Sequence, residues 1–100
     1  MGQRDETTGF QRDILCVLCG LDDPKGMEIQ SELESYYGSE VLHARVYQNL
    51  DSLAERGLVE KGERDSRTNY YRITDVGRDA VQDVLGWKRT YTEDVHADTV

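Results

Sequence analysis

The sequence predicts a mainly α-helical fold with a small β-hairpin (α+β), of the winged helix-turn-helix type: a three-helix core, a wing and a C-terminal dimerisation helix. Three observations predict it. Residues 42–56 have an amphipathic helical pattern that ends at Gly57, a short strand pattern follows, and a polar turn leads into an aromatic return strand at residues 69–73. This order places one helix and one hairpin on the same side of a small domain.

The first two helices are separated by a proline-containing break. Thr8 and Gln11 fit a capping box, and the helix that follows is predicted to run to about Leu21 and to be buried on several sides. Residues 22–24 end it, with the proline well placed to begin a second helix over residues 25–37. The expected buried residues of this second helix are Ile29, Leu33, Tyr36 and Tyr37.

The third helix is predicted over residues 43–56, with Gly57 as its C-terminal stop. Strands are predicted at residues 58–63 and 69–73, joined by the polar residues 65–68. Helical spacing gives the third helix an inward face formed by Leu42, Val46, Leu50, Leu53 and Ala54.

A fourth helix is predicted over residues 75–91, with Thr74 as its cap. Since no repeat and no linker composition indicates a second domain, the chain is divided by function alone. We expect a flexible N-terminal arm at residues 1–7, a winged helix-turn-helix DNA-binding domain at 8–74, a dimerisation helix at 75–91 and a disordered acidic tail at 92–100.

The charge of the chain is distributed unevenly. A formal net charge of −8 argues at first against nucleic-acid binding, because Lys and Arg supply the affinity for phosphate. Residues 41–72, however, hold six basic and five acidic residues, a net charge of +1, so the other segments carry −9. The acidity therefore lies outside the predicted contacting surface.

The acidic composition also indicates an environment. Twenty Asp and Glu residues are typical of a protein from an organism with a salty cytoplasm, where an acidic surface stays hydrated; an ordinary acidic mesophilic protein is the alternative. No apolar run reaches the ~18 residues that a membrane span requires, and no signal-peptide pattern begins the chain. We expect a cytoplasmic protein with no membrane partner.

The outward face of the third helix is the main candidate for DNA contact. Arg pairs with guanine, Gln and Asn pair with adenine, and Ala contacts the thymine methyl group. No acidic residue lies between Val41 and Leu50, although an ordinary solvated helix face is the alternative. His43 projects nearer the inward side, where packing, a phosphate contact and a base contact all remain open. The outward residues are Ala44, Arg45, Gln48, Asn49 and Ser52.

The wing offers a second set of contacts. Arg64 and Arg67 flank its tip, and a narrow minor groove attracts inserted arginines. A solvated hairpin with paired charges is the alternative, because acidic residues neighbour both arginines. Thr68 and Asn69 are adjacent candidates, and weaker phosphate candidates are Arg4, Arg12 and Lys25, the last near a helix N-terminus that favours anions.

The fourth helix carries an apolar stripe that ends in two aromatic residues. Packing on its own domain is one explanation, but a stripe of this kind on a terminal helix of so small a chain favours a dimer interface. We expect the first helix to contribute as well. The predicted interface residues are Phe10, Leu18, Val76, Ala80, Val84, Trp87 and Tyr91.

Cys16 and Cys19 form a Cys-x-x-Cys pair within an apolar helix. A metal site needs further ligands, and neither His43 nor His96 has metal-site spacing. We interpret the cysteines as buried small hydrophobes, with a redox switch, between subunits, as the alternative. The sequence has no nucleophile elbow, no phosphate-binding glycine loop and no zinc motif, so we expect neither an enzyme nor a cofactor.

Several segments form a specific combination: residues 25–29 (KGMEI), 46–47 (VY), 50–59 (LDSLAERGLV) and 69–78 (NYYRITDVGR). Together they resemble the PadR family of transcriptional regulators, in particular its small haloarchaeal members, over residues 8–91. The resemblance implies a homodimeric repressor that binds an operator with two-fold symmetry.

The sequence therefore predicts a sequence-specific DNA-binding transcriptional regulator. Its partners would be double-stranded DNA and a second copy of the chain, with inorganic ions as a further candidate partner at high salt. Each subunit would place its third helix in the major groove, with half-sites about one helical turn (~10 bp) apart. The alternative is a winged-helix protein-interaction module of a transcription complex, but a protein-docking face should expose apolar residues where this helix has Arg, Gln, Asn and Ser.

Overall fold

The computed structural model describes residues 7–63, 65 and 68–93. Within them the elements are α1 (Gly9–Gly20), α2 (Gly26–Tyr37), α3 (His43–Glu55), β1 (Val59–Glu63), β2 (Asn69–Ile73) and α4 (Asp75–Thr92). The predicted α+β winged-helix fold is confirmed, with every boundary within two residues of its expected place. Residues 1–6 of the predicted arm, residues 94–100 of the predicted tail, and Arg64, Ser66 and Arg67 of the predicted wing tip lie outside the described residues.

The start of α1 follows the predicted capping box. Thr8 Oγ1 accepts from the Gln11 amide at 3.1 Å, and Gln11 Oε1 accepts from the Thr8 amide at 3.3 Å. The expectation that α1 is buried on several sides is wrong, because Cys16 and Cys19 are exposed. One side of the helix packs into the core, through Phe10, Ile14, Leu15 and Leu18.

Two further burial predictions are wrong near the turn between α2 and α3. Tyr36 and Tyr37 are 79% and 37% exposed, because they lie in the last turn of α2, beyond the core contacts of Ile29 and Leu33. Leu42 is 73% exposed. It precedes α3 with extended backbone (φ −63°, ψ 135°), so its side chain does not follow the helical spacing of the inward face.

The wing is an antiparallel pair in which Val59 lies opposite Ile73 and Glu63 opposite Asn69. Val59, Tyr71 and Ile73 face the core. The Tyr71 amide donates to the Pro24 carbonyl at 2.9 Å, so the returning strand is attached to the loop that precedes α2. Arg72 reinforces this attachment with two hydrogen bonds to the Asp23 carboxylate, at 2.8 and 2.7 Å.

The beginning of α4 is held against the start of β1. Thr74 Oγ1 accepts from the Gly77 amide at 3.1 Å and donates to the Gly57 carbonyl at 2.7 Å. A Cβ atom at Gly77 would lie 2.3 Å from the Leu58 carbonyl oxygen, so only glycine fits this approach. Among the described helices, none combines the length and apolarity needed to cross a bilayer.

Candidate nucleic-acid interface

The helix-turn-helix brings the first turn of α2 against α3. A Cβ atom at Gly26 would lie 2.2 Å from the Tyr47 hydroxyl oxygen, so glycine lets the Tyr47 ring lie against the start of α2. The His43 ring packs on Tyr47 with centroids 4.3 Å apart, and its Nδ1 lies 3.4 Å from Gln30 Oε1. His43 thus has packing contacts on the α2 side while it remains exposed.

Arg45, on the exposed part of α3, is in contact with α1. Its Cζ atom lies 3.8 Å from the centroid of the Phe10 ring. The Phe10 ring also packs against Tyr37, with centroids 6.2 Å apart, and the Tyr37 hydroxyl donates to the Asp13 carboxylate. Partial burial, followed by this hydrogen bond and the Asp13 charge, raises the pKa of Tyr37 to about 12.

Asn49 is also in contact with α1, through a network of polar side chains. Its Oδ1 accepts from Gln11 Nε2 at 2.8 Å, and its Nδ2 donates to the Arg45 carbonyl at 2.8 Å. Arg56 donates to Gln11 Oε1 at 3.1 Å and to Thr7 Oγ1 at 2.6 Å. Thr7, which the sequence assigns to a flexible arm, is therefore buried and hydrogen-bonded.

The rest of the outward face of α3 is accessible. Ala44 and Gln48 are exposed and Ser52 is half-buried. Asp51 is the first acidic residue of the helix, and its carboxylate lies 3.8 Å from Lys61 Nζ on β1. The first two turns of α3 consequently carry Arg45 with no acidic residue of the same helix beside it.

The other residues predicted to contact DNA lie on separate parts of the chain. Thr68 and Asn69 are half-buried at the start of β2, where the Thr68 amide donates to Asp65 Oδ1 at 2.9 Å. Lys25 is exposed at the N-terminus of α2, with its amide capped by Glu28 Oε1 at 2.7 Å. Arg12 lines the groove between α1 and α4, so the fold does not bring it to the face of α3. Arg64 and Arg67 lie outside the described residues.

An apolar stripe on α4 remains uncovered by the rest of the described chain. Val76, Trp87 and Tyr91 are 59%, 62% and 70% exposed, whereas Ala80 and Val84 are half-buried. The Trp87 and Tyr91 rings meet edge to face, with centroids 5.4 Å apart. The two interface residues that the sequence predicts on α1 are buried, unlike this stripe. Phe10 and Leu18 lie in the chain's own core and offer a partner little surface.

The interpretation of the cysteines as buried hydrophobes is wrong for this chain, because both thiols are exposed on α1. Partial desolvation, with the neighbouring Cys19 and Asp13, raises the pKa of the Cys16 thiol. A raised pKa lowers the fraction of nucleophilic thiolate. No three His, Cys, Asp or Glu side chains within the part of the chain that the structure describes are grouped to hold a metal ion.

The contacts that α1 makes with α3 have no signal in the local sequence pattern. Gln11 and Asn49 are 38 positions apart, and no spacing rule links residues so far separated along the chain. The sequence predicts Gln11 only as a capping residue. Its second amide contact could not be read from the pattern of α1, because that contact depends on how α3 packs across it.

Known proteins share both the sequence pattern and the fold. Residues 14–83 match the model of the transcriptional regulator PadR-like family. A complex structure of hsRosR-S1 is 46% identical and covers 97% of this chain and 85% of that chain, with a TM-score of 0.86. RosR of Halobacterium salinarum, from crystals grown from NaBr, is 47% identical over 96% of this chain and 86% of that chain, also with a TM-score of 0.86.

A more distant structure extends the likeness in fold alone. FabT of Streptococcus pneumoniae in complex with DNA is 18% identical and covers 94% of this chain and 63% of that chain, with a TM-score of 0.74. A search of curated proteins found no match.

The family model spans more than half of the chain, and the RosR structures cover nearly all of it at high identity. The resemblance seen in the sequence is confirmed, as is the prediction of a regulator that is not an enzyme. The chain belongs to the PadR-like family of transcriptional regulators.

Proposed function

We propose that the protein is a sequence-specific DNA-binding repressor that acts as a homodimer on a pseudo-palindromic operator. The observation that carries the proposal is the face of α3. It presents Ala44, Arg45 and Gln48 to solvent on two turns that precede the first acidic residue of the helix. These side chains hydrogen-bond or pack against base edges, and the width of an α-helix suits the major groove.

Phosphate contacts would hold α3 in register. Lys25 is exposed at the N-terminus of α2, where its positive charge favours a phosphate, whereas its backbone amide is already capped by Glu28. From the sequence we assign Arg64 and Arg67, at the wing tip, to the flanking backbone or minor groove. Such contacts position a protein on DNA without reading its sequence.

The apolar stripe of α4 is the proposed subunit interface. Exposed Trp and Tyr side chains are enriched at interfaces, and this stripe has both on consecutive turns. A two-fold pair would present two copies of α3 to one duplex, which corresponds to inverted half-sites about one helical turn (~10 bp) apart.

The net charge of −8 is compatible with this function when the cell is salty. At about 1 M salt the Debye length is ~3 Å, so acidic groups far from the DNA repel it little and direct contacts decide the affinity. We therefore assign the protein to a halophilic cytoplasm. Inorganic ions there can lie between the acidic side chains and the DNA phosphates.

Selection of duplexes from a random library at molar KCl tests the proposal. We expect enrichment of a motif with two inverted half-sites. If no duplex is enriched at any salt concentration, the protein does not read DNA, and the protein-interaction module becomes the better explanation.

Arg45→Ala is the sharpest single substitution for base reading. We expect it to cost ~1–3 kcal/mol of binding free energy on the selected operator and to relax the base preference at one position per half-site. Lys25→Ala is the matched control, because loss of a phosphate contact should weaken operator and random duplexes equally. Fluorescence anisotropy on both duplexes measures the difference. Equal losses for both variants on both duplexes would contradict this division of roles.

A further inference from the structure

The first turn of α1 makes two side-chain contacts with the face of α3 that we propose reads DNA. Phe10 lies under the guanidinium of Arg45, with 3.8 Å between Cζ and the ring centroid. Gln11, one residue later, donates from Nε2 to Asn49 Oδ1 at 2.8 Å. Helical spacing alone makes Arg45 and Asn49 equivalent outward residues. The contacts with α1 distinguish them, because Arg45 packs on an aromatic ring and Asn49 is hydrogen-bonded.

Arg45 keeps its hydrogen-bonding capacity in this contact. Stacking on an aromatic ring uses the flat face of a guanidinium and leaves the N–H groups at its edge to donate. Guanine recognition needs this edge, because two parallel N–H groups meet O6 and N7. The Phe10 ring is 8% exposed and is itself packed against Tyr37, so it is a fixed support for a long and otherwise flexible side chain.

Asn49, by contrast, already uses both ends of its amide. Its oxygen accepts from Gln11 and its nitrogen donates to the Arg45 carbonyl at 2.8 Å. Adenine recognition needs the same oxygen and nitrogen together. Gln11 is 6% exposed and also accepts from Arg56 at 3.1 Å, so turning Asn49 towards a base would break a partly buried network.

We propose that Phe10 is a positioning residue that holds Arg45 ready to read a base, and that Asn49 is a structural amide that does not read one. The inference rests on the proposed DNA binding. It explains why a buried ring of α1 lies directly below an exposed arginine of α3.

A double-mutant cycle on the full-length protein tests the role of Phe10. The cycle compares Phe10→Leu, Arg45→Ala and the double variant, on the selected operator and on duplexes with single base changes. Phe10→Leu should lower the preference for the operator about two- to fivefold, the range expected for an exposed cation–π contact. In the Arg45→Ala background the same change should have no further effect on preference. Thermal unfolding of each variant separates this effect from loss of the fold, and Phe10→Met replaces Phe10→Leu if the leucine variant is unfolded at the assay temperature.

An additive cycle, or a Phe10→Leu variant with unchanged base preference beside an Arg45→Ala variant with relaxed preference, would overturn the positioning role. Both results leave operator binding by the unsubstituted protein intact. Failure of that protein to select any operator would instead overturn the proposed function.

Asn49→Ala gives a second test that needs no change at Phe10. We expect it to weaken operator and random duplexes by the same factor and to lower the thermal midpoint, without a change in base preference. Gln48→Ala, on the exposed part of the same face, is the matched control and should alter preference. A changed preference at one operator position in Asn49→Ala would show that Asn49 reads a base.

Discussion

At the scale of single residues, the fold opposes the ionisation of two phenols. Burial raises the pKa of Tyr71 from its ordinary value of 10.0 to about 12, with smaller contributions from Tyr47 and Asp51. The pKa of Tyr37 is raised to about 12 by partial burial and by its hydrogen bond to Asp13. Since an ionised Tyr71 would place a charge within the core, its protonation and the folded state are coupled.

The pH dependence of stability follows from these shifts. A folded-state pKa above the unfolded value favours the protonated form, so the stabilisation is fully present below about pH 10 and is lost as the pH rises towards 12. Urea unfolding across this range should show the decline, and Tyr71→Phe should reduce it. Absorbance titration should show one fewer late-ionising phenol in Tyr71→Phe and in Tyr37→Phe. If each variant instead loses a phenol that ionises near pH 10 in the parent, the two late-ionising phenols are wrongly assigned.

At the scale of elements, the junction between the wing and α4 depends on one close approach. The Gly77 Cα faces the Leu58 carbonyl, and the Ile73 Cγ1 atom would lie 2.7 Å from an added Cβ. Thr74 bonds to both sides of this junction. Close contact with the Leu58 backbone therefore determines the direction of α4. A Cβ atom at position 77 would clash with this backbone, and no change of side-chain rotamer could remove the clash.

Gly77→Ala should destabilise the fold by about 1–3 kcal/mol, because the methyl group meets backbone and overpacks the junction. Gly86→Ala is the control in the same helix. Its added Cβ meets no atom within 4 Å, so the gain in helix propensity should stabilise by about 0.5–1 kcal/mol. Chemical denaturation at one protein concentration gives both values. A Gly77→Ala variant as stable as Gly86→Ala would mean that the junction relaxes at little cost.

At the scale of the whole molecule, the exposed stripe of α4 decides how many copies of α3 meet one duplex. Val76, Trp87 and Tyr91 leave apolar surface of α4 exposed to solvent in a single chain. A second copy of the chain would cover this surface. The stripe and the face of α3 belong to different elements, so a change in the stripe should alter assembly without altering base contacts.

Trp87→Glu should convert the protein to monomers, because a carboxylate at the centre of an apolar interface remains unpaired. Gln82→Glu adds the same charge at an exposed position of α4 outside the stripe and should leave assembly unchanged. Sedimentation equilibrium measures the state of each variant. The Trp87→Glu monomer should bind a full operator no more tightly than a single half-site. A Trp87→Glu protein that remains dimeric would place the interface elsewhere.

Local signals in the sequence determined the elements and their order. The capping box at Thr8, the stop at Gly57 and the cap at Thr74 each act within one turn of the chain, so their effects can be read without knowing the fold. The inward residues Val46, Leu50 and Leu53 were likewise predicted from spacing, because a regular helix repeats every 3.6 residues.

Only the tertiary structure decided what the outward residues contact. The exposure of Leu42, Tyr36 and the two cysteines depends on which surfaces the other elements cover, and spacing within a helix carries no such information. The same holds for Arg45 and Asn49, which the pattern of α3 treats alike. Their partners come from α1, more than 30 positions earlier, and contacts between residues so far apart arise from the packing of helices against one another.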